Sequence, residues 1–196
     1  DITKEDKVKD CYKIISQNFG GVDILVSNAG FAIQEALETL SKKQLDSSFD
    51  LNFFAHHYFV KHGTAIMKNQ NIKGSVIFNI SKQAINPGPN FGAYGLPKAA
   101  LMFLMKQYVV ESSKFGIRFN GVNADRIRSG LLSPEMIAKR AKSRGLSIEA
   151  YMAGNLLKEE VKASDVADAF YHLAISYKTT ASVITVDGGN IESSLR

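Results

Sequence analysis

Four short apolar runs recur along the chain: Val22–Ser27, Ser75–Ile80, Ile117–Val122 and Ser182–Val186. Between them lie longer stretches with helical periodicity. The first starts near Thr3, a candidate N-cap, and runs to about Asn18, where Phe19-Gly-Gly21 stops it. The second spans Lys42 to Lys68 with Phe53, Phe54, Phe59, Val60 and Ile66 inward, the third Gly92 to Ser113, and the last Ser164 to about Ser176. Strands that return through a helix each time run parallel, so the expected architecture is α/β, a doubly wound parallel sheet with helices on both faces. Residues 123–162 are polar and irregular, and read as a long lid over a binding site. Ligands of such sheets sit at the carboxyl ends of the strands. Asn28, Ser81 and the segment Asn123–Ser129 all fall at such ends, which points to a single site.

The 196 residues suffice for one domain with a substantial core, and 45% hydrophobic with 22% charged residues is an ordinary globular balance. No apolar run approaches the roughly 20 residues of a membrane helix, and no signal peptide is visible, so neither membrane insertion nor export is expected. A single cysteine, Cys11, cannot form an internal disulfide, which fits a cytoplasmic protein. The net charge of +5 is spread over every helical segment, and basic stretches such as Ala138–Arg144 read as solvated helix faces rather than a nucleic-acid surface. His56, His57 and His62 share one helix without a coherent ligand face, and no metal is expected.

The most chemically suggestive stretch runs from Ser81 to Lys98. The strand Ser75–Ile80 delivers Ser81 to its end, a loop rich in Pro and Gly follows, and a helix then carries Tyr94 and Lys98. Residues four apart on a helix share a face. A cation beside a phenol favours the phenolate and draws its pKa down from about 10. A serine hydroxyl alongside can hydrogen-bond the substrate oxygen whose proton the tyrosine takes or gives, which makes an acid/base centre for an alcohol and its carbonyl.

Tyr94-x-x-x-Lys98 with Ser81 thirteen residues upstream resembles the catalytic signature of the short-chain dehydrogenases/reductases. Asp23-Ile-Leu-Val-Ser-Asn-Ala-Gly30 resembles that family's Asn-Asn-Ala-Gly turn, with Ser27 in place of the first Asn. Asp50-Leu-Asn52 matches its helical asparagine, Gly116–Asp125 its sixth-strand motif, and Val186-Asp-Gly-Gly189 its closing element. Taken singly, each has a plainer reading: a surface lysine beside a tyrosine, a strand-ending turn, a helix-surface amide. Five matches in order outweigh them. The resemblance implies a Rossmann-like fold and a nicotinamide cofactor, NAD or NADP with a lean to NAD. It also implies that Tyr94 is the acid/base, Lys98 its pKa-lowering partner and ribose ligand, Ser81 the substrate-oxygen donor and Asn52 the anchor of a proton-relay water. Asp1, Asn28, Ala29, Gly30 and Ser129 would line the cofactor, with Asp1 at the adenine and Ser129 at the carboxamide. Ala124 and Asp125 depart from the family's Pro-Gly. A homo-oligomer built on the helices Lys42–Lys68 and Gly92–Ser113 is also implied, with a small molecule as the substrate.

The family's Gly-rich nucleotide turn occurs nowhere in the sequence, and Asp1-Ile-Thr3 resembles the end of its third strand. The expectation is a sheet lacking its first βα units, roughly 60 residues by the size of a βαβ unit. Residues 1–196 would then be the C-terminal two-thirds or more of one domain. Ile80-Ser-Lys82, Pro89-Asn90, Asn123-Ala-Asp125 and Asp187-Gly-Gly-Asn190 resemble more narrowly the dehydrogenase half of bifunctional rhamnulose-phosphate aldolase/short-chain dehydrogenases. That likeness implies lactaldehyde or a related small hydroxy-aldehyde as substrate. A non-catalytic module of the same fold, or a fragment inactive for want of the nucleotide turn, is the alternative.

Overall fold

Strand β2 (Ser75–Asn79) has no polar face, because Val76, Ile77 and Phe78 are all fully buried. A strand apolar on both sides must be covered on both. In the computed structural model, which describes residues 1–190, β2 lies inside a four-stranded parallel sheet of order β1 (Ile24–Ser27), β2, β3 (Arg118–Ala124), β4 (Val183–Val186). On one face Val76 and Phe78 join Ile117 and Phe119. They meet Val8 and Tyr12 of α1 (Glu5–Phe19), Val60 and Met67 of α3 (Ala55–Gln70), and Leu101 and Met105 of α4 (Gly92–Ser112). On the other face Ile77 and Val122 pack on Ala169 and Leu173 of α7 (Ala163–Ile175). The doubly wound α/β architecture expected from the sequence is present. Strand β1 stands at the edge, with Leu25 and Ser27 buried and Ile24 and Val26 half exposed.

Four local expectations are corrected. Asp1–Thr3 is a turn and not a strand end, because the Asp1 carboxylate accepts from both the backbone N–H (2.9 Å) and the hydroxyl (2.7 Å) of Thr3. With Thr3 so occupied, Lys4 takes the N-cap position of α1 without a side-chain cap. The helix expected over Lys42–Lys68 is broken in register. Helix α2 (Lys42–Phe49) starts at a capping box between Ser41 and Gln44, and a π-helical turn over Asp50–Phe54 then leads into α3. The polar segment 123–162 is not irregular throughout. It carries α5 (Pro134–Ser143) and α6 (Ile148–Met152), started by the caps Ser133 and Ser147, with a small core of Leu132, Ile137, Ala141, Tyr151 and Met152.

Helix α4 contains Pro97, which has no N–H to give the carbonyl of Ala93 one turn back. That buried carbonyl is not orphaned: Ser48 Oγ, at the end of α2, donates to it at 2.7 Å. Asn52 Nδ2 in turn donates to Ser48 Oγ at 3.0 Å. The defect in α4 is thereby what ties the α2–α3 junction to the helix that carries Tyr94. Ser48→Ala should cost about 1–3 kcal/mol, since it leaves a buried carbonyl unpaired. In a Pro97→Ala background the cost should fall, because residue 97 then supplies the missing N–H. Chemical denaturation of the four proteins of this cycle checks it, and an equal cost in both backgrounds would refute the link.

Candidate active site

Above the carboxyl ends of the strands lies an open cleft of about 1430 Å³. Ser81 arrives there in extended backbone (φ −174°, ψ 153°), directly after Ile80, whose N–H still donates to Val122 O at 2.8 Å. Its Oγ accepts from Gln83 N at 3.2 Å and starts a short 3-10 turn over Lys82–Ala84. Tyr94 lies in the first turn of α4, and the next residue, Gly95, explains why the two meet. A Cβ at Gly95 would come within 2.9 Å of Gln83 O, so only glycine lets α4 close on the turn that holds Ser81. Ser81 and Tyr94 line the same cleft, and both residues are more than nine-tenths buried.

Lys98 lies one turn further along α4 and is 1% exposed. Its Nζ is 5.8 Å from the centre of the Tyr94 ring and donates to Asn79 O at 2.8 Å, at the end of β2. The expectation that Lys98 lowers the Tyr94 pKa is not met in this state. Burial raises the phenol above its ordinary value and outweighs the opposing hydrogen bond from Ser81. Burial also drives Lys98 itself down to about 7, which weakens the cation that should favour a phenolate. The free cleft therefore holds Tyr94 as a phenol.

Asn52 is fully buried in the π turn. Its Nδ2 donates to Phe31 O at 2.9 Å as well as to Ser48 Oγ, and its Oδ1 accepts from Phe31 N at 3.2 Å. Both amide hydrogens are thus committed to protein, so this side chain clamps the loop after β1. Behind it, His56 Nδ1 contacts Ser27 Oγ at 2.6 Å. Burial, with a lesser contribution from the charge of Lys98, lowers His56 to about 3, which keeps it neutral.

Asn28, Ala29, Gly30 and Ser129 line the same cleft, and the Asn28 Oδ1 accepts from Asn79 Nδ2 at 2.6 Å. Asp1 does not line it, its carboxylate being engaged by Thr3. The residues suit a nicotinamide cofactor. A Cβ on residue 30 would stand 3.0 Å from Asn52 Oδ1 and 3.8 Å from Lys98 Nζ, so the glycine leaves open the space in front of the ammonium. Lys98 spends one donor on Asn79 O and can offer others to hydroxyls placed there. Among the described residues no cluster of His, Cys, Asp and Glu forms a metal site.

Two features were not legible beforehand. Lys82 and Asp125, read separately in the sequence, are partners at 3.2 Å, and Asp125 Oδ2 also accepts from Asn190 at 2.7 Å and lies 3.6 Å from Arg126 Nε. Arg140 and Arg144, expected on a solvated face, line the cleft. Their i, i+4 spacing within Ala138–Arg144 was the available signal that they share a side of a helix.

A family model described as enoyl-(acyl carrier protein) reductase matches residues 1–190. Short-chain dehydrogenase reductase 3a of Arabidopsis thaliana is 31% identical over 194 residues, covering 96% of this chain and 73% of its own length. The chain belongs to the short-chain dehydrogenase/reductase family. An uncharacterized oxidoreductase of Bacillus subtilis, YuxG, is 32% identical over 199 residues, and this chain, 96% covered, spans 29% of that protein's length. Among solved structures, ElxO with NADP bound superposes with a TM-score of 0.85 at 25% identity, covering 97% of this chain and 76% of ElxO.

The state of Lys98 in this short-chain dehydrogenase/reductase sets a pH dependence. Between about 7 and its ordinary 10.5 the unfolded chain holds a proton that the folded chain has shed, so stability rises with pH across that window. Below 7 both states are charged and the burial penalty is fully present. The contribution has a slope of up to about 1.4 kcal/mol per pH unit. Lys98→Met should therefore be more stable than the native protein at pH 6, with the advantage shrinking toward pH 10. Denaturation curves at several pH values check this, and parallel pH profiles for the two proteins would contradict it.

Proposed function

We propose that the protein interconverts a small alcohol and its carbonyl compound, with Tyr94 as the proton donor and acceptor and NAD or NADP as cofactor. The observation that carries the reading is the convergence of Ser81, Tyr94 and a fully buried Lys98 in one cleft at the strand ends. A buried ammonium costs stability and is hard to account for in a purely structural module. A bound nicotinamide supplies the hydride donor or acceptor. In the reducing direction the Tyr94 phenol gives its proton to the substrate oxygen while the Ser81 hydroxyl hydrogen-bonds the same oxygen. Protonated Lys98 then stabilises the phenolate left behind, and in the oxidising direction the phenolate takes the proton back. Asn52 and Ser48 fix the loop after β1 against α4, which holds Gly30 in front of Lys98. Lys98 with Asn28, Ala29, Gly30 and Ser129 would hold the cofactor.

The likeness of Ile80-Ser-Lys82 and Asn123-Ala-Asp125 to aldolase-linked dehydrogenases supports lactaldehyde or a related small hydroxy-aldehyde as substrate. Phe103 and Val110 of α4 are exposed, which supports self-association through that helix. Among the described residues no helix is long and apolar enough to cross a membrane, and Cys11 is a free thiol, so we assign the protein to the cytoplasm.

Tyr94→Phe tests the assignment. Turnover of the full-length protein should fall by about 10²–10⁴-fold, the scale of a positioned acid/base, while the dissociation constant for the cofactor changes little. Near-normal turnover by the variant would sink the reading.

A further inference from the structure

The described lining of the cleft carries six cationic side chains, Lys82, Lys98, Arg126, Arg128, Arg140 and Arg144, against one carboxylate, Asp125. Four of the six are accounted for. Lys82 and Arg126 share Asp125, Arg128 is held in a two-point ion pair by Glu160 (2.5 and 3.1 Å), and Lys98 is buried with its ammonium on the Asn79 carbonyl. Arg140 and Arg144 have no carboxylate partner among the described residues. Arg140 is half-buried and Arg144 exposed, and each lies against an aromatic ring. The Arg140 guanidinium lies 5.2 Å from the centre of the Phe91 ring and donates to Gln34 Oε1 at 3.2 Å. The Arg144 guanidinium lies 5.1 Å from the Tyr151 ring, which Arg126 also faces at 5.1 Å. Gathering guanidinium groups in this way is unfavourable unless an anion completes the set, and a planar fork held on an aromatic face is suited to bind a carboxylate or phosphate.

The position says which end of the reaction the anion belongs to. Phe91, whose ring lies under Arg140, directly precedes α4 and stands three residues before Tyr94, and both arginines line the cleft that holds the phenol. We propose that Arg140 and Arg144 form the seat for an oxyanion, carboxylate or phosphate ester, on the substrate itself. The proposal rests on the dehydrogenase reading above and narrows it. The preferred compound is a hydroxy-carbonyl bearing a negative group, and lactaldehyde is its neutral and poorer analogue.

Two measurements on the full-length protein separate this proposal from the reading it rests on. The first is steady-state turnover with lactaldehyde, with glyceraldehyde 3-phosphate and with succinic semialdehyde, which are neutral, phosphorylated and carboxylated. One anionic compound should have the higher kcat/KM. The Arg140→Ala/Arg144→Ala variant should raise its KM by about 10- to 100-fold, the range for lost charged hydrogen bonds, with the cofactor KM unchanged. The Arg140→Lys/Arg144→Lys variant should retain part of the effect, and Lys139→Ala, which removes an exposed charge of the same helix, should have none. A preference for lactaldehyde, an equal loss for all three compounds, or a rise in the cofactor KM alone would overturn the proposal.

The second measurement is calorimetric titration of inorganic phosphate and of acetate into the native protein and the Arg140→Ala/Arg144→Ala variant. Saturable, salt-sensitive binding of either anion that the variant loses supports the seat, even if none of the three compounds is turned over. That combination would count against the dehydrogenase reading instead. Absence of saturable binding by the native protein, or its survival in the variant, would overturn the seat.

Discussion

Everything in the cleft depends on keeping one ammonium out of water beside a phenol. Lys98 is sealed between the end of β2 and the first turns of α4, with the carbonyl of Asn79 as its fixed acceptor. The surrounding architecture is what makes that burial tolerable. Strand β2 and its extension bring Asn79 and Ser81 to the same end of the sheet, Gly95 allows α4 to close on the turn after Ser81, and the Ser48 bridge repairs the gap that Pro97 leaves in the same helix. The cost of desolvation is visible in both partners, since Lys98 is displaced downward and Tyr94 upward. Such a pair is poised rather than pre-ionised, and a bound ligand can tip it in either direction.

Much of the fold was legible because it rests on local pattern. The apolar run at Ser75–Ile80 and its three counterparts became the four strands within a residue or two, and the wide spacing of those runs fixed parallel pairing. Ser81, Tyr94 and Lys98 were legible for the same reason, being placed by a strand end and a helical turn. What escaped was set by tertiary contact. The π turn at Asn52 follows from its clamp on Phe31, twenty-one residues away in sequence. The direction of the Tyr94 shift follows from burial, which spacing does not report. Helices α5 and α6 did carry readable signals in Ser133-Pro134 and Ser147, obscured by the polarity of the segment around them.

The basic run Ala138–Arg144 shows the limit most clearly. In sequence it is one more charged helix face, and half of it is, since Lys139 and Lys142 are exposed. Its other side looks into the cleft only because α5 packs through Ile137 and Ala141 on the small core shared with α6. The same helical spacing that buries those two residues turns Arg140 and Arg144 toward Phe91 and Tyr151. The cleft thus draws on two distant parts of the chain: α4 brings Tyr94 and Lys98 to it, and α5 brings Arg140 and Arg144.

The most direct test of the central claim is the titration of Tyr94, followed by the ¹³Cζ resonance of selectively labelled tyrosine and assigned with Tyr94→Phe. In the protein free of cofactor the phenol should titrate above the ordinary tyrosine value, since burial outweighs the effect of Ser81. A phenolate already formed near neutral pH would contradict the account, and would mean that Lys98 holds its charge and dominates the site after all.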